Sequence, residues 1–383
     1  MVPIRKSHKP LNILSQSLTD LPAPINISLW WNYGSLLGLF LTIQIISGII
    51  LSIHYCPNTE LAFSSLVHIT RNVNLGWMLH NIHINGASMF LLLIYTHIAR
   101  RIYYISFYII KTWNTGVTIF ILTIMTAFIG YVLPWGQISF WAATVITNIF
   151  SAIPYLGTHI VKWLWGGFAV TGVTLNRFFI LHFLLPFSIL LFIVLHFMIL
   201  HETGSNNPLG INSDSDRIPF HIYFTLKDLL GFIISILLLL IITTLYPNIL
   251  LDPENFTEAN PILTPNHIQP EWYFLWLYAI LRSVPNKLGG VAALLLAVIV
   301  LYLPPIFCNK KMSIIFCPIT QLIFFTIITS WLLLRWIGKC PVEYPYIFIG
   351  QLSRIIYFSY FLLIPWTFHT WNTLTILPHN YTN

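Results

Sequence analysis

The sequence predicts an all-α polytopic membrane protein with eight transmembrane helices, on three observations. Only 8% of the 383 residues are Asp, Glu, Lys or Arg, against about 25% in a globular chain. Hydrophobic residues make up 57% and aromatic ones 16%, more apolar surface than so few charges can cover in water. Apolar stretches of about 20 residues, the length that crosses a bilayer, recur along the chain. Lipid accepts such a surface provided each backbone polar group is bonded internally, as it is in a helix.

The amino end, MVPIRKSHKP, is polar and basic, and the first apolar run begins near Trp30, too late for an ordinary cleaved signal peptide, so the chain reads as mature. Spans are predicted over residues 31–54, 77–101, 113–134, 176–201, 226–246, 288–307, 319–338 and 347–370. An even count returns both termini to one side. The connections after the second, fourth and sixth spans carry Arg100, Arg101, Lys111, Arg217, Lys227, Lys310 and Lys311, and the amino end adds Arg5, Lys6 and Lys9. That face is the cytoplasm-like or matrix side by the positive-inside rule. On the other face, residues 137–174 hold apolar pieces broken by Pro154, Gly157, Gly166 and Gly167, the pattern of short helices lying in the interface. Residues 246–287 are rich in Pro and Asn until an apolar pattern resumes after Pro270, and a connection of that length usually has a function. Two domains are expected, 1–210 with the first four spans and 211–383 with the last four. The net charge of +7 is scattered without a long basic run. Anionic lipid and the acid groups of a cofactor are its expected counter-charges, not nucleic acid. Cys56, Cys308, Cys317 and Cys340 form no CxxC or metal-like spacing and receive no role.

Coordinating residues inside a span are expensive and therefore functional candidates. His83 and His97 lie in the second span, His182 and His196 in the fourth, each pair 14 residues apart. Fourteen steps of about 100° end about 40° short of whole turns, so each pair looks out from nearly one face, roughly 21 Å apart along the axis. The two spans run in the same direction, which sets His83 level with His182 and His97 level with His196. Two imidazoles facing across a bundle can hold a six-coordinate iron in the plane of a haem, suited to electron transfer and not to oxygen binding. Bonded core histidines are the plainer alternative, and His54 and His68 show the same spacing across a loop. Glycine supplies a separate signal: Gly34 and Gly48 in the first span, and Gly116 and Gly130 in the third, also lie 14 apart. A flat macrocycle wedged between helices needs positions without side chains, although glycine also serves ordinary helix packing in membranes.

Six stretches then carry a resemblance: GWMLHNIHINGAS around His83, YTHIAR around His97, RFFILHFLLPF around His182, IVLHFMILHETGSNNP around His196, GYVLPWGQISFWAATVITN, and PEWYFLWLYAILRSVPNKLGG. They resemble cytochrome b of the quinol–cytochrome c oxidoreductases over essentially the whole chain. The 14-residue step in the fourth span and the union of both halves in one chain resemble the respiratory type, and length and composition suggest a mitochondrial member. The resemblance implies a subunit of respiratory complex III (the cytochrome bc1 complex) in the mitochondrial inner membrane, with both termini in the matrix. It implies ubiquinol oxidation at an outer site, with one electron leaving to a Rieske-type iron–sulfur protein and cytochrome c1. The other electron would pass through low- then high-potential haem b to ubiquinone at a matrix-side site, contributing to proton translocation within a dimeric complex. No residue resembles an iron–sulfur or c-haem attachment site, so those centres are expected in other subunits.

By the same resemblance, His83 and His182 ligate the low-potential haem, with Gly48 and Gly130 packed on it, and His97 and His196 the high-potential haem, with Gly34 and Gly116. Arg100, one turn past His97, is placed to meet propionates. His80 stands where the family usually has arginine, which implies weaker propionate pairing and a more pH-sensitive potential for the outer haem. Glu271, set against Trp272, Tyr273 and Phe274, is the expected proton acceptor at the quinol site. On sequence alone it is equally a first-turn acid complementing a helix dipole after an N1 proline. Its implied companions are Met125, Phe128, Tyr131, Ala142, Pro270 and Tyr278. Many relatives carry glycine at Ala142, whose methyl implies reduced sensitivity to rigid strobilurin-like inhibitors. On the matrix side, His201 points away from the haem face as a carbonyl donor and Asp228 supplies a proton. Trp31, Ser35, Ser205, Phe220 and Lys227 line that pocket by resemblance, although Lys227 and Asp228 alone read as an ordinary start to a span. A di-haem anchor of a quinone-linked dehydrogenase and a haem-free transporter remain the other readings. The first leaves PEWY unexplained, and the second calls for internal repeats with broken helices, which the sequence does not show.

Overall fold

The computed structural model describes residues 3–307 and 314–376. Cys308, Lys310 and Lys311 lie outside the described residues. Seven helices are long and apolar enough to cross a membrane. The first span, Tyr33–His54, follows a 3-10 turn, Leu29–Asn32, whose start is capped by the Ser28 hydroxyl accepting from Trp30 N. The second is Gly76–Tyr103, the third Ile110–Val132, the fourth Gly172–Thr203 and the fifth Tyr223–Leu245. The seventh is Pro318–Lys339 and the eighth Tyr346–Ile376. Thr171 and Thr174 form a capping box that starts the fourth span. Within the spans, hydroxyls of Thr42, Thr96 and Thr123 return their protons to carbonyls four residues earlier, leaving no donor bare to lipid.

The sixth expected span, 288–307, is helical but interrupted: Lys287–Ile299 tightens to 3-10 over Val300–Tyr302 before the single turn Pro304–Phe307. Pro304 and Pro305 withhold the backbone donors a continuous helix needs. The interface helices expected in 137–174 are present as Gln137–Asn148 and Gly157–Trp165. Gly166 ends the latter in the left-handed region at φ 72°.

The first span packs on the second and the third on the fourth, while the fifth leans on the first two. The second and fourth, which carry the histidines, are not a packed pair, so a gap runs between them. The seventh and eighth pack on each other and on the short helix Leu275–Arg282. The largest core cluster joins both halves of the chain, with Phe107 and Phe120 meeting Ile280, Leu334 and Phe361. One antiparallel β pair ties Pro22–Pro24 to Arg217–Pro219, Ala23 opposite Ile218. The fourth span turns Leu191 and Met198 outward, 61% and 62% exposed, as lipid-facing surface permits.

Candidate functional site

His83 and His182 meet across the gap with ring centroids 6.2 Å apart and planes at 82°. Two nitrogen–metal bonds of about 2.0 Å plus two ring radii of about 1.1 Å give a centroid separation of about 6.2 Å, so the spacing of the pair matches one metal ion held between the two rings. The tautomers agree. His182 Nδ1 donates to Thr126 O at 3.0 Å, and a carbonyl can only accept. His83 Nδ1 lies 2.9 Å from Ser47 Oγ, whose own proton goes to Ile43 O at 2.6 Å, so the ring is again the donor. His196 Nδ1 meets Thr115 Oγ1 at 3.0 Å, and that hydroxyl has carbonyls of Lys111 and Thr112 to donate to. In all three, Nε2 is left bare for a ligand bond, the arrangement metal-binding histidines use. His97 Nδ1 is buried without a partner, and His97 is near enough to His196 for the two to interact electrostatically.

The four predicted glycines each face the expected histidine. A Cβ on Gly130 would sit 2.3 Å from His182 Cε1, on Gly48 3.1 Å from His83, on Gly116 3.3 Å from His196 and on Gly34 3.7 Å from His97. Among the described residues no cluster of three or more His, Cys, Asp or Glu is placed to hold a metal by itself, which suits axial pairs whose remaining ligands come from a macrocycle. Arg100 is buried, with Nε and one terminal nitrogen lacking any acceptor, and its guanidinium lies over the Trp31 ring at 4.9 Å. A buried guanidinium without a carboxylate among the described residues calls for an anion. The residues present therefore fit a haem with its acid groups.

A cavity of about 220 Å³ opens beside the first pair, lined by His80, His83, Gly130, His182, Tyr131, Glu271 and Tyr273 among others. Glu271 is not in the first turn of a helix: it precedes the turn Trp272–Phe274, and the helix begins at Leu275. The dipole reading thus falls away. Burial pushes its carboxyl up to about 7, countered by the Tyr131 hydroxyl beside it and reinforced by Asp252. Neither Glu271 Oε1 nor the Tyr131 hydroxyl completes a hydrogen bond of normal geometry among the described residues, and the two groups lie beside each other on the cavity wall.

Met125, Phe128, Ala142, Pro270, Phe274 and Tyr278 do not line this cavity. Ala142 is buried in Gln137–Asn148, Met125 is 47% exposed, and Phe128 packs edge-on to Phe178 at 6.1 Å. Phe274 meets Tyr273 edge-on at 4.6 Å, Pro270 is half-buried, and Tyr278 lies under Arg282 at 4.7 Å.

At the other end, Ser35 donates to Asp228 Oδ1 at 2.7 Å, joining the first and fifth spans. Lys227 Nζ reaches Ile27 O at 2.5 Å and lies 5.7 Å from the Phe224 ring. Phe220 packs on Phe224 at 5.8 Å, and Trp31 Nε1 donates to Asn206 O at 2.8 Å. His201 lies against Phe197 at 6.3 Å, and neither it nor Ser205 is hydrogen-bonded to Asp228. The sequence reading missed Ser47 and Thr115. Each immediately precedes a haem-facing glycine, a hydroxyl–glycine signal that was there to be read.

An integral membrane protein with seven long apolar helices among the described residues, whose facing histidines straddle a glycine-lined cavity, is built as a haem-binding helix bundle. Residues 18–204 match the family model Cytochrome b/b6/petB, and residues 258–358 match Cytochrome b(C-terminal)/b6/petD. The chain is also similar to one from a hyperthermophilic respiratory Complex III, with 30% identity over 94% of this chain and 97% of that one, and a TM-score of 0.88. The chain belongs to the cytochrome b family.

Proposed function

We propose that this protein is the di-haem b subunit of a quinol–cytochrome c oxidoreductase, with His83 and His182 as axial ligands of one haem and His97 and His196 of another. The observation that supports it most is the 6.2 Å spacing of His83 and His182 with Nδ1 of each tied back, repeated in kind at a second depth by His196. Bound there, haem supplies one-electron transfer, and ligands on both faces leave no position for oxygen. The chain's own side chains supply binding and proton movement. In this reading residues 1–210 hold the haems and 211–383 supply the outer carboxylate and the inner proton donor.

At the outer site Glu271 Oε1 is the base for a quinol hydroxyl proton: with its carboxyl pushed up to about 7, it is poised between accepting and releasing a proton near neutral pH. The Tyr131 hydroxyl orients the quinol oxygen, and the Tyr273 ring closes the wall. Arg100 and His80 would pair with the acid groups of the inner and outer haems. At the inner site Asp228, aimed by Ser35, gives a proton to one quinone oxygen, and His201 contacts the other from the fourth span. Of the two quinol electrons, one would leave to a Rieske-type iron–sulfur protein and cytochrome c1 and the other would reach the inner quinone, in a dimeric complex of the mitochondrial inner membrane.

Reduced-minus-oxidised spectra with haem counting on the purified complex are expected to show two bis-histidine, carbon-monoxide-unreactive haems per chain. Colourless protein overturns the reading in favour of a transporter. Haems without quinol-dependent cytochrome c reduction overturn it in favour of a dehydrogenase anchor.

A further inference from the structure

Glu271 can work only if something holds it. Its segment, between the 3-10 turn Pro253–Phe256 and the helix at Leu275, holds no helix of its own: upstream, Thr257, Glu258 and Ala259 pair with residues 135–137, and beside Glu271 the turn is closed by Phe274 N on Glu271 O at 2.8 Å. Two residues of the second span provide further ties. The Tyr95 hydroxyl donates to Tyr273 O at 2.6 Å and accepts from Trp276 Nε1 at 3.0 Å, so both of its capacities are used. Ser88 Oγ, buried on the cavity wall, accepts from Trp272 Nε1 at 3.3 Å. From the far side the Arg335 guanidinium covers the Trp272 ring at 4.8 Å. Ser88 and Tyr95 are seven residues apart, which places them on one face, roughly 150° around the helix from the histidines.

We infer that Tyr95, on the Tyr273 backbone carbonyl, and Ser88, on the Trp272 indole, are positioning residues that tie the Trp272–Tyr273 segment to the histidine-bearing helix, and thereby set where the Glu271 carboxyl stands relative to His83. The inference rests on Glu271 being the proton acceptor proposed above. One rigid helix then carries both a haem ligand and the anchor of the base, so quinol held by Glu271 is registered to the site where its electron goes. Misplacing a reacting group by about 1 Å can cost about a hundredfold in rate.

The test is a double-mutant cycle on the assembled complex in isolated membranes. Tyr95→Phe keeps the ring, which packs on Phe120 and Trp331, and removes only the hydroxyl. Quinol oxidation is expected to slow about tenfold while haem absorbance per protein is unchanged. In a Glu271→Gln background the same change is expected to alter the residual rate less than about twofold, because a residue acting through the carboxylate has nothing left to position. An equal loss in both backgrounds, or no loss in the native one, overturns the inference while leaving the role of Glu271 intact. A Glu271→Gln complex with native rate overturns that role, and the inference with it. If Tyr95→Phe does not assemble, Ser88→Ala is put through the same cycle with the same criteria.

Discussion

Gly130→Ala is expected to unseat His182. The added carbon would stand 2.3 Å from His182 Cε1 and 2.7 Å from Nδ1, whereas carbon contacts settle at about 3.5–4.0 Å. The ring must withdraw by more than about 1 Å, and its 3.0 Å bond to Thr126 O then passes beyond hydrogen-bonding range. Losing that bond costs about 1 kcal/mol, and forcing a methyl into packed surroundings costs about 1–3 kcal/mol. Together these weaken retention of the outer haem by about 2–4 kcal/mol, or roughly 30- to 1,000-fold. Gly34→Ala meets His97 only at 3.7 Å, an ordinary contact, with Gly48 and Gly116 between the extremes at 3.1 and 3.3 Å. Haem content, resolved by redox titration into outer and inner signals, measures the effect, and the inner signal serves as internal control. Full outer-haem occupancy in Gly130→Ala, or equal damage from Gly34→Ala, would refute the reasoning.

Three further outcomes follow from the same geometry. Glu271, with its carboxyl raised to about 7 by burial, is protonated and useless as a base at lower pH. The quinol oxidation rate is therefore expected to climb as pH rises through about 7, and this limb should vanish in Glu271→Gln; a limb that survives the substitution contradicts the assignment. Ser35→Ala removes the 2.7 Å bond that aims Asp228. About 1 kcal/mol of orientation corresponds to about a fivefold slower quinone reduction at the inner site, with outer-site oxidation unchanged when the two half-reactions are assayed separately. Ala142→Gly deletes a buried methyl within Gln137–Asn148. Because Ala142 stands off the cavity wall, the substitution is expected to leave titrations with strobilurin-like inhibitors unchanged while costing about 0.5–1 kcal/mol of stability from glycine in a helix; a lower half-inhibition concentration would put the methyl at the pocket after all.

Periodicity made the long helices legible because lipid enforces one rule everywhere: about 20 apolar residues with their backbone bonded internally. It conceals the interruption within 288–307 because hydropathy is blind to donors, and Pro304 and Pro305 remain apolar while withholding theirs. The 14-residue steps located the histidines and glycines because a straight helix carries a face along its length. The same arithmetic fails outside helices. Pro270 lets Glu271 read as a first-turn acid, yet the helix begins only at Leu275, and the ties of Trp272 and Tyr273 to Ser88 and Tyr95 are long-range ones that no local pattern shows. Asp228 and Ser35 lie 193 positions apart, and no local pattern pairs them.

The short β pair between Pro22–Pro24 and Arg217–Pro219 bears on how the molecule is made. Its two strands are separated by the entire run of four helices that surrounds the histidines. During synthesis the early strand has no partner until all four spans have been made and the later strand emerges. Joining them is thus a closing clasp, and because Asp228 follows that later strand in the chain, its contact with Ser35 can form only once the clasp's second half is already in hand.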